Sequence, residues 1–107
     1  MDIRLKKQKD FDLVFKKGNR VYSKSLTVLF LKNESLKVGI SLSKKHGKAF
    51  KRNKIKRLLR ACVRNFISSF NDNYYIILLP KISENYDYSI FLKDMEYTFK
   101  KGKLING

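Results

Sequence analysis

Apolar side chains recur along the chain with two different periods, and each change of period marks an element. Phe11, Val14 and Phe15 stand at i, i+3 and i+4, which predicts a short helix over residues 10–17 with Gly18 placed to stop it. Residues 25–31 are rich in apolar and β-branched types, and Leu36, Val38, Ile40 and Leu42 then alternate with Lys37, Gly39 and Ser41. That period of two predicts two strands, joined across residues 32–35 as a pair. From Ile55 the steps of three and one return: Ile55, Leu58, Leu59, Cys62, Val63, Phe66, Ile67 and Phe70 form one stripe of a long amphipathic helix.

Residues 74–79 are a short apolar run ended by Pro80, which suits a strand buried on both sides, and residues 81–86 read as loop. Asp87 is placed to cap a last helix whose face is marked by Tyr88, Leu92, Met95 and Phe99, with Phe91 beside them and Gly102 at its end. The order of helix, strands, long helix, strand and helix predicts an α+β sheet covered by helices. With 107 residues and 43% apolar content, the chain can fill one core and not two, so a single domain over residues 1–107 is expected.

Charge changes this picture most. Lys and Arg number 25 against 9 Asp and Glu, a net +16, and residues 35–71 hold 11 of the bases with no acid. Residues 44–64 alone carry ten Lys or Arg and His46. On the long helix, Asn53, Arg57, Arg60 and Arg64 fall within about 60° opposite the apolar stripe. An ordinary solvated face mixes signs so that Glu and Lys pair at i, i+4; this one has no internal relief except salt or a bound polyanion. Lys48, Lys51 and Arg52 also crowd the start of the helix, where its dipole disfavours cations. The planar donors of Arg and Asn favour structured RNA over an anionic membrane or a partner's groove, because so small a domain needs the apolar stripe for its own core.

The residues that would support catalysis by the chain itself are few. Asp10 and Asp12, like Asp94 and Glu96, are two apart on predicted helices and point in different directions, while Asp72, Glu84 and Asp87 suit turns and caps. His46 is the sole histidine and is expected to be a loop histidine near phosphates; Cys62 lies on the apolar stripe as a small buried hydrophobe. No catalytic group, metal site or small-molecule substrate is expected of the protein alone. One cysteine, a start of Met-Asp-Ile-Arg and no apolar run of the roughly 20 residues that spans a bilayer favour the cytoplasm and no membrane partner.

The run from Lys44 to Arg60 resembles the signature of the bacterial ribonuclease P protein subunit, K-x-G-x-A-V-x-R-N-R-x-K-R-x-x-R, with Phe50 in place of Val and Lys54 in place of the second motif Arg. Asp10, Phe11, Val14 and Phe15, arranged as D-F-x-x-V-F, and G-I-S-L-S-K-K before the motif agree with it. The resemblance implies a ribosomal protein S5 domain 2-like α+β fold, with a four-stranded sheet and a left-handed βαβ crossover through the long helix. It implies an endoribonuclease holoenzyme in which a catalytic RNA, with Mg2+, removes the 5′ leader of precursor tRNA, the protein being a non-catalytic cofactor.

Carried over by position, Arg52, Asn53, Lys54, Lys56, Arg57 and Arg60 would contact the catalytic RNA, with Arg64 on the same face. Phe11 and Phe15, which spacing alone would assign to core, would line the leader cleft, and Lys44, Lys45 and Lys48 would lie between the two surfaces. Leu29 stands where relatives often carry a strand aromatic, with Phe30 next to it. The alternative is a ribosomal or general structured-RNA-binding protein without processing activity.

Overall fold

The computed structural model describes residues 3–106. Its elements in order are α1 (Gln8–Lys17), β1 (Asn19–Tyr22), β2 (Leu26–Lys32), β3 (Lys37–Ile40), α2 (Ala49–Val63), β4 (Tyr74–Pro80) and α3 (Tyr88–Lys101), with single 3₁₀ turns at Lys44–His46 and Ile67–Ser69. The sheet runs β1-β2-β4-β3. β4 pairs antiparallel with β2, from Leu26 opposite Pro80 to Lys32 opposite Tyr74, and parallel with β3, from Lys37 opposite Tyr75 to Ile40 opposite Leu78.

That order corrects the expected strand pair. β2 and β3 are consecutive but do not pair; β4 lies between them, and residues 33–36 cross its start, where the Asn33 N–H donates to the Asn73 carbonyl at 3.0 Å. Among the described strands, β4 is therefore the one that holds β3 to the rest of the sheet, and β3-α2-β4 is a parallel crossover unit. β1 carries no pattern that periodicity could find, since only Val21 of its four residues is buried.

Alternation along the strands loads both faces. On one, α1 lays Val14 against Leu5, Leu29 and Ile77, with Phe11 and Phe15 half-buried around them. On the other, α2 and α3 cover Leu26, Val28, Ile76 and Leu78 with Ile55, Leu59, Phe91, Met95 and Phe99. Each such side chain removed from water contributes roughly 1.5–3 kcal/mol, so the two faces together hold the small domain. Thr98, also fully buried in α3, returns its hydroxyl to the Met95 carbonyl at 2.9 Å.

The helix ends follow local chemistry, with two departures. Asp87 caps α3 by accepting the Ile90 N–H at 3.2 Å. At the other end of α3 the residue in the left-handed region is Lys103, at φ 62°, rather than Gly102. The Leu104 N–H reaches the Phe99 carbonyl and the Lys103 N–H the Lys100 carbonyl, the two bonds of a Schellman cap. The apolar stripe of α2 also overshoots its helix: α2 ends at Val63, Phe66 is buried beyond it, and Ile67 is exposed.

Candidate nucleic-acid interface

Gly47 decides how α2 leaves the sheet. Its φ of 110° lies in a region that side chains disfavour, and the turn at Gly47 separates Lys44–His46 from the start of α2 at Ala49. The turn is anchored by His46, which is buried. The Ser43 N–H donates to His46 Nδ1 at 3.1 Å, so Nε2 carries the hydrogen and donates to the Pro80 carbonyl at 2.7 Å. His46 is therefore a brace between the basic segment and the end of β4, which corrects the expected phosphate-side role: both ring nitrogens are occupied within the fold.

The apolar side of α2 buries Ile55, Leu59, Cys62 and Val63. Asn53, Lys54, Arg57, Arg60 and Arg64 are exposed, and Lys44, Lys45 and Lys48 are exposed ahead of the helix. No acid stands in the first turn of α2. Phe50, 75% exposed, lies two turns from Arg57 and so on the same ridge. Burial raises the Cys62 thiol to about 11, and its Sγ lies 3.5 Å from the Tyr88 carbonyl, which fits the structural reading of that residue.

Between α1, the end of β3 and the start of α2 is a cleft of about 390 Å³. Phe11 and Phe15 of α1 line one wall and Arg52, Asn53 and Lys56 of α2 the other, with Ser41, just past the end of β3, also in the lining. The two phenylalanines are thus both core and wall. Gly39 makes this possible, because a Cβ there would stand 2.6 Å from Phe11 Cζ. Arg52, which the helical wheel puts near the apolar edge, is half-buried and turns into the cleft.

The sequence treats the helix motif and the aromatic pair as two surfaces, whereas Arg52, Asn53 and Lys56 join them. Lys54, Arg57 and Arg64 stand outside this cleft. A second groove beside it brings Lys56 and Arg60 together with Arg4 and Lys6 of the N-terminal segment. That segment bridges the edge of β3 through Arg4 and Val38, a placement no local pattern announces. Gln8 also lines the first cleft; extending the period of α1 back by one turn would have found it. Leu29 is fully buried on the α1 face, while Phe30 turns to the opposite face, edge-on to Tyr74 at 6.1 Å. Neither presents a ring to the cleft.

Several of the acids serve the fold. Asp12 accepts from Gln8 at 2.9 Å, Asp94 from the Ser25 N–H at 2.9 Å, Asp72 pairs with Lys32 at 2.8 Å, and Glu96 pairs with Lys100 at 3.6 Å. Among the described residues no three His, Cys, Asp or Glu side chains converge in a way that could hold a metal ion, and no helix is long and apolar enough to cross a membrane.

Fold and site together define a class: a small, strongly basic α+β domain whose cations converge on one helix and on the aromatic cleft beside it. The ribonuclease P family model matches residues 1–103, and the chain belongs to that family. A Fusobacterium nucleatum protein named ribonuclease P protein component is 40% identical, covering 94% of this chain and 97% of its own length. A Listeria monocytogenes protein of the same name is 35% identical, covering 95% and 89%. The solved RNase P protein of Staphylococcus aureus is 30% identical and superposes with a TM-score of 0.87 over 99% of this chain and all of that one. That of Thermotoga maritima, also 30% identical, gives 0.81 over 97% and 98%.

Proposed function

We propose that this chain is the protein subunit of a ribonuclease P ribonucleoprotein, and that it binds the catalytic RNA along α2 and the 5′ leader of precursor tRNA in the aromatic cleft. The observation that carries this reading is the convergence of Arg52, Asn53 and Lys56 with Phe11 and Phe15 on one cleft. Guanidinium and amide groups clamp phosphates and 2′-hydroxyls in plane, and phenylalanine edges and faces take unpaired bases. Exposed Arg57, Arg60 and Arg64 continue the cationic surface outward to a structured RNA. Lys54 contributes charge there without the fixed fork of an arginine.

In this reading the protein reacts with nothing. The divalent ions that drive hydrolysis of the phosphodiester are held by RNA in this reading, which accords with the lack of a metal-holding cluster of His, Cys, Asp or Glu among the described residues. The protein lowers phosphate repulsion and fixes the leader relative to the RNA. Localisation in the cytoplasm belongs to the same proposal.

Two measurements test it. Cleavage of precursor tRNA at low Mg2+ is expected to need both this chain and a ribonuclease P RNA; cleavage by chain freed of all RNA contradicts the reading. Arg57→Ala with Arg60→Ala is expected to weaken binding to that RNA and to flatten the dependence of log affinity on log salt by about one for each phosphate no longer neutralised. An unchanged slope removes the α2 ridge from the interface.

A further inference from the structure

The rim of the sheet that holds the cleft also carries a second concavity. β1 and β4 run in the same direction as β3, so their ends and the start of β2 lie at one edge of the sheet. Ser41 is tied there to β4, its N–H donating to the Leu78 carbonyl at 3.1 Å, and Lys81 to the start of β2, its N–H donating to the Ser25 carbonyl at 2.9 Å. Three strand spacings, about 14 Å, separate the end of β3 from that of β1. At the far end lies a groove of about 530 Å³ between the β1–β2 turn and α3.

Its lining combines two chemistries. Tyr22 and Tyr97, from different elements, are 61% and 50% exposed. Lys24, Lys81 and Lys93 stand around them, and Lys101 Nζ lies 5.9 Å from the centre of the Tyr97 ring. The acid in the groove, Asp94, is turned to the Ser25 N–H. Isolated exposed tyrosines are ordinary; two that share one concavity with three ammonium groups form an arrangement that suits a base between or upon the rings and phosphates beside them.

We propose that the Tyr22–Tyr97 groove is a second subsite for single-stranded RNA, reached along the sheet rim from the aromatic cleft. Lys44 and Lys45, exposed beside His46 where its ring meets the Pro80 carbonyl at the end of β4, would accompany the backbone between the two sites, and Lys81 would meet it at the groove. The proposal rests on the chain being an RNA-binding protein and extends the path of the strand beyond the cleft. A neighbouring groove shares Lys24 and Lys81 and exposes Ile82 and Ile90, so a protein surface is the competing occupant; the excess of lysine over carboxylate at the tyrosines favours RNA.

The test uses the full chain and an unstructured fluorescein-labelled oligouridylate of about twelve nucleotides, long enough to span one binding path. Tyr22→Ala with Tyr97→Ala is expected to weaken its binding at least about tenfold, as loss of stacking on two rings predicts, while Tyr22→Phe with Tyr97→Phe stays within about twofold of wild type because stacking is kept. Both variants should melt like wild type, since the side chains are exposed. Photocrosslinking from 4-thiouridine should reach peptides containing Tyr22 or Tyr97. Unchanged affinity of the double alanine variant, or failure of the wild type to bind the oligomer while structured RNA still binds, overturns the subsite and leaves the main reading standing. Should the wild type self-associate and the alanine variant not, with RNA affinity intact, the subsite is overturned in favour of a protein interface. Loss of structured-RNA binding in Arg57→Ala with Arg60→Ala reads the main interface independently.

Discussion

Cys62 and His46 are the two side chains of the basic segment that a search for reactive groups would pick out, and packing has used both. His46 spends its two nitrogens on Ser43 and Pro80, joining the turn before α2 to the end of β4. Cys62 is fully buried, and burial holds its thiol up at about 11 against an ordinary 9.0. An unfolded chain ionises near 9.0 and the folded one only near 11, so the stabilising contribution is complete below pH 9 and is lost as pH rises toward 11. Urea unfolding at about pH 8 and pH 10.5 should show a drop on the order of 2 kcal/mol from this source. Cys62→Ala, less stable at both pH values, should lack that part of the drop; an identical pH dependence in the two proteins contradicts the assignment.

At the scale of elements, the end of α3 offers a sharper test than its start. Lys103 occupies a left-handed position that glycine adopts without strain, and it does so because Leu104 and Ile105 beyond it are buried. Lys103→Gly is expected to stabilise the fold by roughly 0.5–1 kcal/mol, after allowing for the freedom glycine adds to the unfolded chain. A thermal melt should move up by a few degrees; a downward shift would mean that the lysine side chain contributes more than its backbone strain costs.

The same elements show what the sequence can convey. All three helices, Asp87 as a cap and β4 were legible because each is written within fifteen residues as a period, a cap or an apolar run. The position of β4 between β2 and β3 was not, because pairing at long range leaves no mark on the short link of residues 33–36, which reads like any hairpin turn. The site divides along the same line. The charged ridge of α2 followed from a helical wheel, whereas the meeting of Arg52 and Lys56 with Phe11 depends on where α1 packs, and Gly39 gives no local sign of the ring above it.

For the whole molecule, a net charge of +16 makes folding and RNA binding respond to salt in opposite directions. Self-repulsion weakens as ions screen it, so the melting temperature of the free protein should rise between about 0.02 and 0.5 M NaCl, where the screening length falls below the width of the basic face. Over the same range affinity for RNA should fall. A melting temperature that is flat or falling would show that the excess cations do not burden the fold.

The central place of β4 has a further effect on how the polypeptide matures. Until residue 80 has been made, β2 has a strand partner on one side only, β3 has none, and the cationic helix lacks the Ile76 and Leu78 part of its floor. A chain cut short before Tyr74 is therefore not a smaller version of this protein: it is a hairpin, a detached ribbon and a strongly charged amphipathic segment with its oily side open, which is material for proteases and chaperones rather than for assembly.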